Sequence, residues 1–318
     1  MNAYVLEGAK RLAIRQVPMP QICDDEVLIK VSVCGTCHSE FPGWLTGSEV
    51  GKRYGHEAVG VVEQVGKNVK KFVPGDRVTG MLFQAFAQYT KAPWWDLVKV
   101  PAGVSDLSAI LEPWSCLFSD AERLPVRLGD RAGLVGAGYM GLGFMQLLLL
   151  KGVSDMVAVD TREDALENAL RFGATQAYLA SQVPTRYIVD TWDAGIFDRG
   201  LDIVVEASGN AGALDLAGRM VGVHGALAIA GFHNSGGKRV IDMELWNWKG
   251  FEAINAHERR FQRNLQYMEA ALRLIQAGKL DTQRFMTHAY GFSELNRAFA
   301  DMGDKPKGYI KGYVIIDG

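Results

Sequence analysis

Cysteine is scarce in this chain: there are four among 318 residues, Cys23, Cys34, Cys37 and Cys116. That is too few for a disulfide framework at this length, so reduced thiols or metal ligands are the expected uses. No second Cys-x-x-C accompanies Cys34 and Cys37, which argues against a zinc knuckle, and the context is not that of a thioredoxin-like redox pair. An excess of one charge is also missing. Lys and Arg total 34 against 36 Asp and Glu, a net charge of −2, which speaks against nucleic acid or an anionic membrane as the main partner. The opening residues, MNAYVLEGAKRLAIRQV, alternate like strands and lack a signal peptide's apolar core, so a cytoplasmic location is expected. One uncharged run, Ala132–Leu150, has 19 residues, long enough to cross a bilayer. Five of them are glycine and Gln146 interrupts the run, so a buried strand and helix explain it better. Internal repeats, low-complexity segments and long linkers are absent as well.

What is present is an ordinary globular composition, 48% apolar and 22% charged, at a length that suits two domains. The most informative stretch runs from Arg131 to Asp160. It reads as a strand (Ala132–Val135), a glycine-rich turn, a helix (Tyr139–Lys151) and a second strand (Met156–Val159). The turn Gly136-Ala137-Gly138-Tyr139-Met140-Gly141 matches G-x-G-x-x-G. The first glycine permits the tight turn, the second lets backbone approach a pyrophosphate, and the third lets helix and strand pack closely. The first N–H groups of the helix then face the phosphates. Asp160 closes the second strand, where an acid bonds the ribose hydroxyls of NAD and repels the extra phosphate of NADP. Arg162, two residues on, is expected to flank the adenine or to meet a 2′-phosphate.

Residues before about 120 read as β-rich. Short strands are expected at Ala3–Leu6, Leu12–Val17, Val27–Val33, Glu57–Val65, Arg77–Gly80 and Phe86–Lys91, with the close spacing of a small barrel. From Leu124 strands and helices alternate: a helix at Asp164–Phe172, strands at Gln176–Leu179 and Leu201–Glu206, a helix at Ala211–Met220, and strands at Ala226–Ala230 and Phe251–Asn255. Such repeats with apolar strands imply a doubly wound parallel sheet. A helix at Glu258–Ala277, another at Ser293–Met302 and a strand at Tyr309–Ile316 should fold back onto the first domain. The expected division is therefore 1–122, 123–255 and 256–318, an α/β chain with a second, β-rich domain.

The β-rich half holds Cys34-Gly35-Thr36-Cys37-His38-Ser39-Glu40, then Gly55-His56-Glu57-Ala58-Val59-Gly60, then Leu111-Glu112-Pro113. A thiolate, an imidazole and a carboxylate suit zinc and leave a position for water or substrate. Together with the nucleotide turn, these motifs resemble the zinc-dependent medium-chain dehydrogenase/reductase family over essentially the whole chain. The resemblance implies a GroES-like barrel carrying the catalytic site, a Rossmann domain, and reversible hydride transfer between an alcohol and NAD. It makes Cys37 and His56 zinc ligands, and Glu57 a ligand or a neighbour of one. The Leu-Glu-Pro segment is similar to the polyol (sorbitol) and threonine dehydrogenase branch, where the acid matching Glu112 reaches the metal directly or through water. Typical alcohol dehydrogenases place a cysteine there. Ser39 stands where a hydroxyl begins the proton relay, and His38, Ser208, Tyr139, Met140 and Arg162 join the glycines and Asp160 as cofactor contacts. Cys34, Cys116 and Cys23 are expected as packed core residues.

Departures from that pattern carry expectations of their own. The segment Met81–Trp95, where the family's structural-zinc lobe would fall, contains no cysteine, so one catalytic zinc and no structural zinc is expected. Glu40 replaces the usual Asp, Pro42 a relay histidine and Ser119 another histidine, so the relay would end at the cofactor ribose, at His38 or in solvent. Trp44 is a candidate wall of the substrate pocket. The segment Leu245–Gly250, with Trp246 and Trp248, reads either as a wall facing substrate or subunit or as plain aromatic packing, and His257 follows the last strand near the nicotinamide end. The expected substrate is a polyol or sugar-like alcohol, and the expected assembly a homodimer or homotetramer joined through Phe251–Asn255. The rival readings are a zinc-free NADPH quinone or enoyl reductase of the same superfamily, and a catalytically decayed NAD-binding protein.

Overall fold

A computed structural model describes residues 1–234, 236–257 and 260–316. The chain divides into two units, Met1–Ser115 with Arg260–Gly318, and Cys116–Arg259. The first boundary falls seven residues before the expected one at 122/123, because the unanticipated helix Glu112–Arg123 runs straight through that point. The second lies four residues beyond the expected 255/256.

The second unit is a six-stranded, all-parallel sheet. Its order is Gln176–Leu179, Asp155–Asp160, Arg131–Val135, Leu201–Glu206, Val221–Ile229, Glu252–Asn255. Numbered along the chain that is 3-2-1-4-5-6, a doubly wound sheet whose direction of growth reverses between Arg131–Val135 and Leu201–Glu206. These strands are short apolar runs because both faces are covered. The strand expected at Ala226–Ala230 instead begins at Val221, directly after the helix Ala211–Met220. His224, with φ of 57°, sits in an irregularity where pairing jumps from Leu201↔Val221 to Ile203↔Ala226, and that break hides the strand's first half. The tryptophan-rich segment forms the helix Met243–Lys249. Trp246 packs on Phe251 at 4.9 Å, while Trp248 is partly exposed beside Trp192. Lys249 is fully buried and donates to the carbonyls of Gly218 (2.5 Å), Val221 (2.6 Å), Val189 (3.3 Å) and Arg219 (3.4 Å). Two of these, Gly218 and Arg219, are carbonyls of the last turn of the helix Ala211–Met220, which the ammonium therefore helps to cap.

The first unit is a mostly antiparallel sheet in the order Met286–Tyr290, Lys311–Ile315, Glu26–Gly35, Glu57–Val65, Arg77–Gly80, Leu97–Lys99, with Tyr89–Pro93 also paired to Glu26–Gly35. The hairpin Asn2–Gly8 and Arg11–Gln16 lies beside it, through a bridge between Ala3 and Ala87. The C-terminal return is real: Val314 pairs with Cys34 and Tyr313 with Gly35. Trp44, Tyr54, Phe72, Phe86 and Phe299 fill the core. The helix expected from Glu258 runs Phe261–Gln276, and its expected first residue lies outside the described residues. Among the described residues no helix is long and apolar enough to cross a membrane.

Candidate active site

The residues expected to ligate a metal meet where the two central strands of the first unit lie side by side. Gly35 pairs with Glu57 and Cys34 with Ala58. Two residues beyond Gly35, Cys37 leaves the sheet in extended conformation and starts the turn His38–Glu40. Thr36 anchors that exit, its N–H and Oγ1 both donating to the Gly312 carbonyl at 3.0 and 3.1 Å. A side chain at position 35 would collide with the Glu57 carboxylate, so the glycine is what lets that carboxylate come close. The outcome is that donor atoms of Cys37, His56 and Glu57 all lie within 4.8 Å of one another.

Each of the three has a second partner. Ser39 Oγ donates to Cys37 Sγ at 3.2 Å. Glu40 Oε1 lies 3.0 Å from His56 Nδ1 and also accepts from the Gly55 N–H at 2.8 Å. Such a carboxylate orients the ring and leaves its Nε2 for a metal. Glu57 is fully buried, and Lys311 Nζ stands 2.8 Å from its Oε1 and 2.7 Å from its Oε2. Only the first contact has hydrogen-bond geometry, so Oε2 keeps a buried lone pair with no donor among the described residues. Burial works against a charged His56, yet hydrogen bonds with Cys37 and Glu40 and their negative charge outweigh it and push the imidazole up to about 12. A thiol, an imidazole and a buried carboxylate with an unused oxygen, gathered within 4.8 Å, fit a divalent cation.

Glu112, at the start of its helix, does not belong to that 4.8 Å set. Burial pushes its carboxyl up to about 7, with His56, Glu57, Lys311 and Glu40 as the charges that also bear on it. It is therefore an acid beside the cluster. Cys34 is packed in the core as expected, and burial raises its thiol well above the ordinary range. Cys23 is exposed, contrary to the expectation of a core residue, and Cys116 is half-buried. Trp44 is a second correction. It is only 4% exposed, its indole N–H donates to Asn296 Oδ1 at 3.1 Å, and it packs on Phe299, so it belongs to the core and not to a pocket wall. His38 is exposed and stacks on Phe41, with ring centroids 5.1 Å apart.

In the second unit the glycine-rich turn closes as the motif requires. A methyl at Gly141 would fall onto the Gly136 carbonyl, which is why helix and strand approach so closely there. Asp160 Oδ2 accepts from the Ala137 N–H at 2.8 Å and Oδ1 from the N–H groups of Thr161 and Arg162 at 2.8 and 3.0 Å. The Arg162 guanidinium pairs with Asp164 at 3.1 Å and comes no nearer than 4.0 Å to Asp160. Tyr139 is buried and Met140 half-buried. Ser208 is brought against the turn, since a methyl on Gly136 would meet its N at 3.0 Å, but its hydroxyl donates to Glu206 Oε1 at 2.7 Å.

Three residues that serve these sites were not picked from the sequence: Glu40 as the partner of His56, Lys311 as that of Glu57, and Glu206 beside the nucleotide turn. Glu40 had a signal, being the acid three residues after Cys37. Lys311 and Glu206 had only their oddity as charges within or closing apolar strands.

A family model for the alcohol dehydrogenase GroES-like domain matches residues 23–102, and one for zinc-binding dehydrogenases matches residues 140–277. The chain belongs to the zinc-type medium-chain dehydrogenase family. This dehydrogenase is 27% identical to D-xylulose reductase of Saccharomyces cerevisiae, over 100% of this chain and 98% of that protein. It is 25% identical to sorbitol dehydrogenase of Bacillus subtilis, over 94% and 92%. Among solved structures it is similar to an alcohol dehydrogenase from Thermus sp. ATN1, with a TM-score of 0.87, 24% identity and full coverage of both chains. It is an oxidoreductase with a mixed α/β fold.

Proposed function

We propose that this dehydrogenase uses one catalytic zinc and NAD to oxidise, reversibly, a secondary alcohol on a polyol- or sugar-like substrate. The observation that carries this is the carboxylic acid Glu112, pushed up to about 7, beside the cluster of Cys37, His56 and Glu57. A half-buried carboxyl facing a purely apolar alcohol would leave hydrogen bonds unmade, whereas a neighbouring substrate hydroxyl replaces them. The relatives named as xylulose reductase and sorbitol dehydrogenase support the same class. The retained donor set weighs against a zinc-free reductase and against a decayed site.

Cys37 Sγ, His56 Nε2 and Glu57 Oε2 would hold the metal, with Glu112 acting from further out through water. Zinc would supply Lewis acidity that lowers the pKa of the substrate hydroxyl, and NAD would accept the hydride. The chain's own part is to orient and to move the proton. Glu40 fixes the His56 ring, Lys311 limits the charge on Glu57, and Ser39 Oγ takes the hydroxyl proton and passes it on. With Pro42 where a relay histidine would stand, His38, the cofactor ribose or solvent receives it. The segment Met81–Trp95 offers no cysteine, so no structural zinc is proposed.

NAD is proposed over NADP because the Asp160 carboxylate ends the second strand while Arg162 is engaged by Asp164. For assembly we propose a homodimer or homotetramer: Glu252–Asn255 is an edge strand with mostly exposed residues, and such an edge invites pairing with another copy. Light scattering that returns a monomer at micromolar concentration would refute it. A cytoplasmic setting is proposed, because four cysteines among 318 residues are too few for a disulfide framework. The decisive test is an NAD⁺-reduction screen over polyols, inositols, sugars, hydroxy amino acids and simple alcohols, repeated with Glu112→Ala. The reading predicts a polyol or sugar alcohol as best substrate and a selective loss with the variant. A primary alcohol such as ethanol as best substrate, or polyol turnover unaltered by Glu112→Ala, would overturn it.

A further inference from the structure

Glu206 ends the strand Leu201–Glu206, one of the two strands that flank the reversal point of the parallel sheet. Ligands of doubly wound sheets bind outside the carboxyl ends of the strands at that point. Glu206 is wholly buried, a position in which a carboxylate needs several donors. It has them. Oε1 accepts from the Ser208 N–H (2.7 Å), the Ser208 hydroxyl (2.7 Å) and the Gly209 N–H (2.9 Å). Oε2 lies 3.0 Å from His233 Nε2. The other ring nitrogen, His233 Nδ1, accepts from Arg239 Nε at 3.0 Å, and Arg239 Nη1 donates to the Gly236 carbonyl at 3.0 Å. The backbone carbonyl of Glu206 also accepts from the N–H groups of Ala230 and Gly231, both at 2.8 Å.

These bonds decide the tautomer of His233. Arg239 is only a donor, so Nδ1 must be the bare nitrogen, and Nε2 carries the hydrogen that goes to Glu206. The ring is a neutral bridge, donor on one side and acceptor on the other. It joins a buried carboxylate at the sheet to the glycine-rich segment around Gly236 and Gly237. Phe232 in the same loop meets His257, at the end of the last strand, with ring centroids 6.1 Å apart.

We infer that Glu206, His233 and Arg239 form a positioning triad that fixes residues 231–234 and 236–239 beside the reversal point of the sheet, where the dinucleotide would lie, with His233 acting as a neutral hydrogen-bond bridge and not as an acid or base. The inference rests on the reading of this unit as a dinucleotide site. The triad acts through the loop, so it governs how well the dinucleotide is held more than how fast hydride moves.

The test uses the full-length zinc-loaded enzyme and its best alcohol, with NADH binding to the parent measured first. His233→Ala removes both bonds of the bridge, and Arg239→Ala removes the bond to His233 together with that to the Gly236 carbonyl; each should raise the KM for NAD roughly tenfold, with kcat changed by no more than about twofold. His233→Gln can donate from its amide nitrogen to Glu206 and accept from Arg239 at its amide oxygen, so it should return the KM to within about threefold of the parent. Nitrogen-15 NMR of the parent should show His233 Nδ1 unprotonated. If the parent binds no dinucleotide, the reading of the site itself fails. If it binds and turns over but neither alanine variant changes the KM for NAD, the triad alone is overturned. A kcat lost in both His233→Ala and His233→Gln would overturn the bridge in favour of an acid–base histidine.

Discussion

The two units reach a functional site by opposite routes. In the second unit the dinucleotide turn, its helix and the closing Asp160 lie within 30 consecutive residues, Arg131–Asp160, and backbone N–H groups do most of the holding. In the first, charged side chains are held by other charged side chains from distant parts of the chain: Glu40 reaches across 16 positions to His56, and Lys311 across 254 to Glu57. A local, backbone-made site tolerates change in its side chains. A site made of mutually dependent charges does not, because removing one partner leaves another buried and uncompensated.

That contrast can be broken by mutation. The largest expected effect is Cys37→Ser: turnover lost, with NADH binding by fluorescence retained, since the two sites share no residue. Equal loss of NADH binding would show that the units do not separate their tasks. Ser39→Ala should lower kcat by roughly 100-fold if its hydroxyl carries the proton. A kcat within a few-fold of the parent, at saturating alcohol, would remove Ser39 from the relay. Lys311→Met leaves the Glu57 carboxylate buried without its cation. It should cost about 3 kcal/mol or more of stability in urea unfolding of the zinc-free protein and weaken zinc binding by roughly tenfold or more. Unchanged stability would overturn the role given to Lys311. The smallest effect is expected in the backbone-made site: Asp160→Ser should only relax the preference for NAD, seen as a smaller ratio of kcat/KM between NAD and NADP. Comparable efficiency with both cofactors in the parent would overturn the role given to Asp160.

The same contrast explains what could be read from the residues alone. The nucleotide turn is legible because its requirements are local: glycine, glycine, glycine and an acid at set spacing. Cys37, His56 and Glu57 are legible because two short motifs carry them. Lys311 is not, since nothing near Tyr309–Ile316 says that this strand pairs with Glu26–Gly35 and delivers its ammonium to Glu57. His233 and Arg239 are hidden for a similar reason, as their partner Glu206 lies 27 positions before the histidine. Trp44 misleads in the other direction. Its closeness in sequence to Cys37 and Ser39 suggests a pocket, but the short helix Phe41–Thr46 turns its ring into the core, where Asn296 satisfies the indole. The strand starting at Val221 is masked by Gly222, His224 and Gly225, which read as a break and prove to be an irregularity within a continuous strand.

The strand Lys311–Ile315 also sets an order of events while the chain is being made. It supplies Lys311 to Glu57, and its Gly312 carbonyl receives both bonds from Thr36, the residue just before Cys37. Every residue of Cys116–Arg259 leaves the ribosome before that strand is synthesised, so the dinucleotide unit has all its parts while the donor cluster still waits for its counter-charge. The cluster proposed to hold the metal is thus drawn from residues up to 57 and balanced by a lysine 254 positions further on.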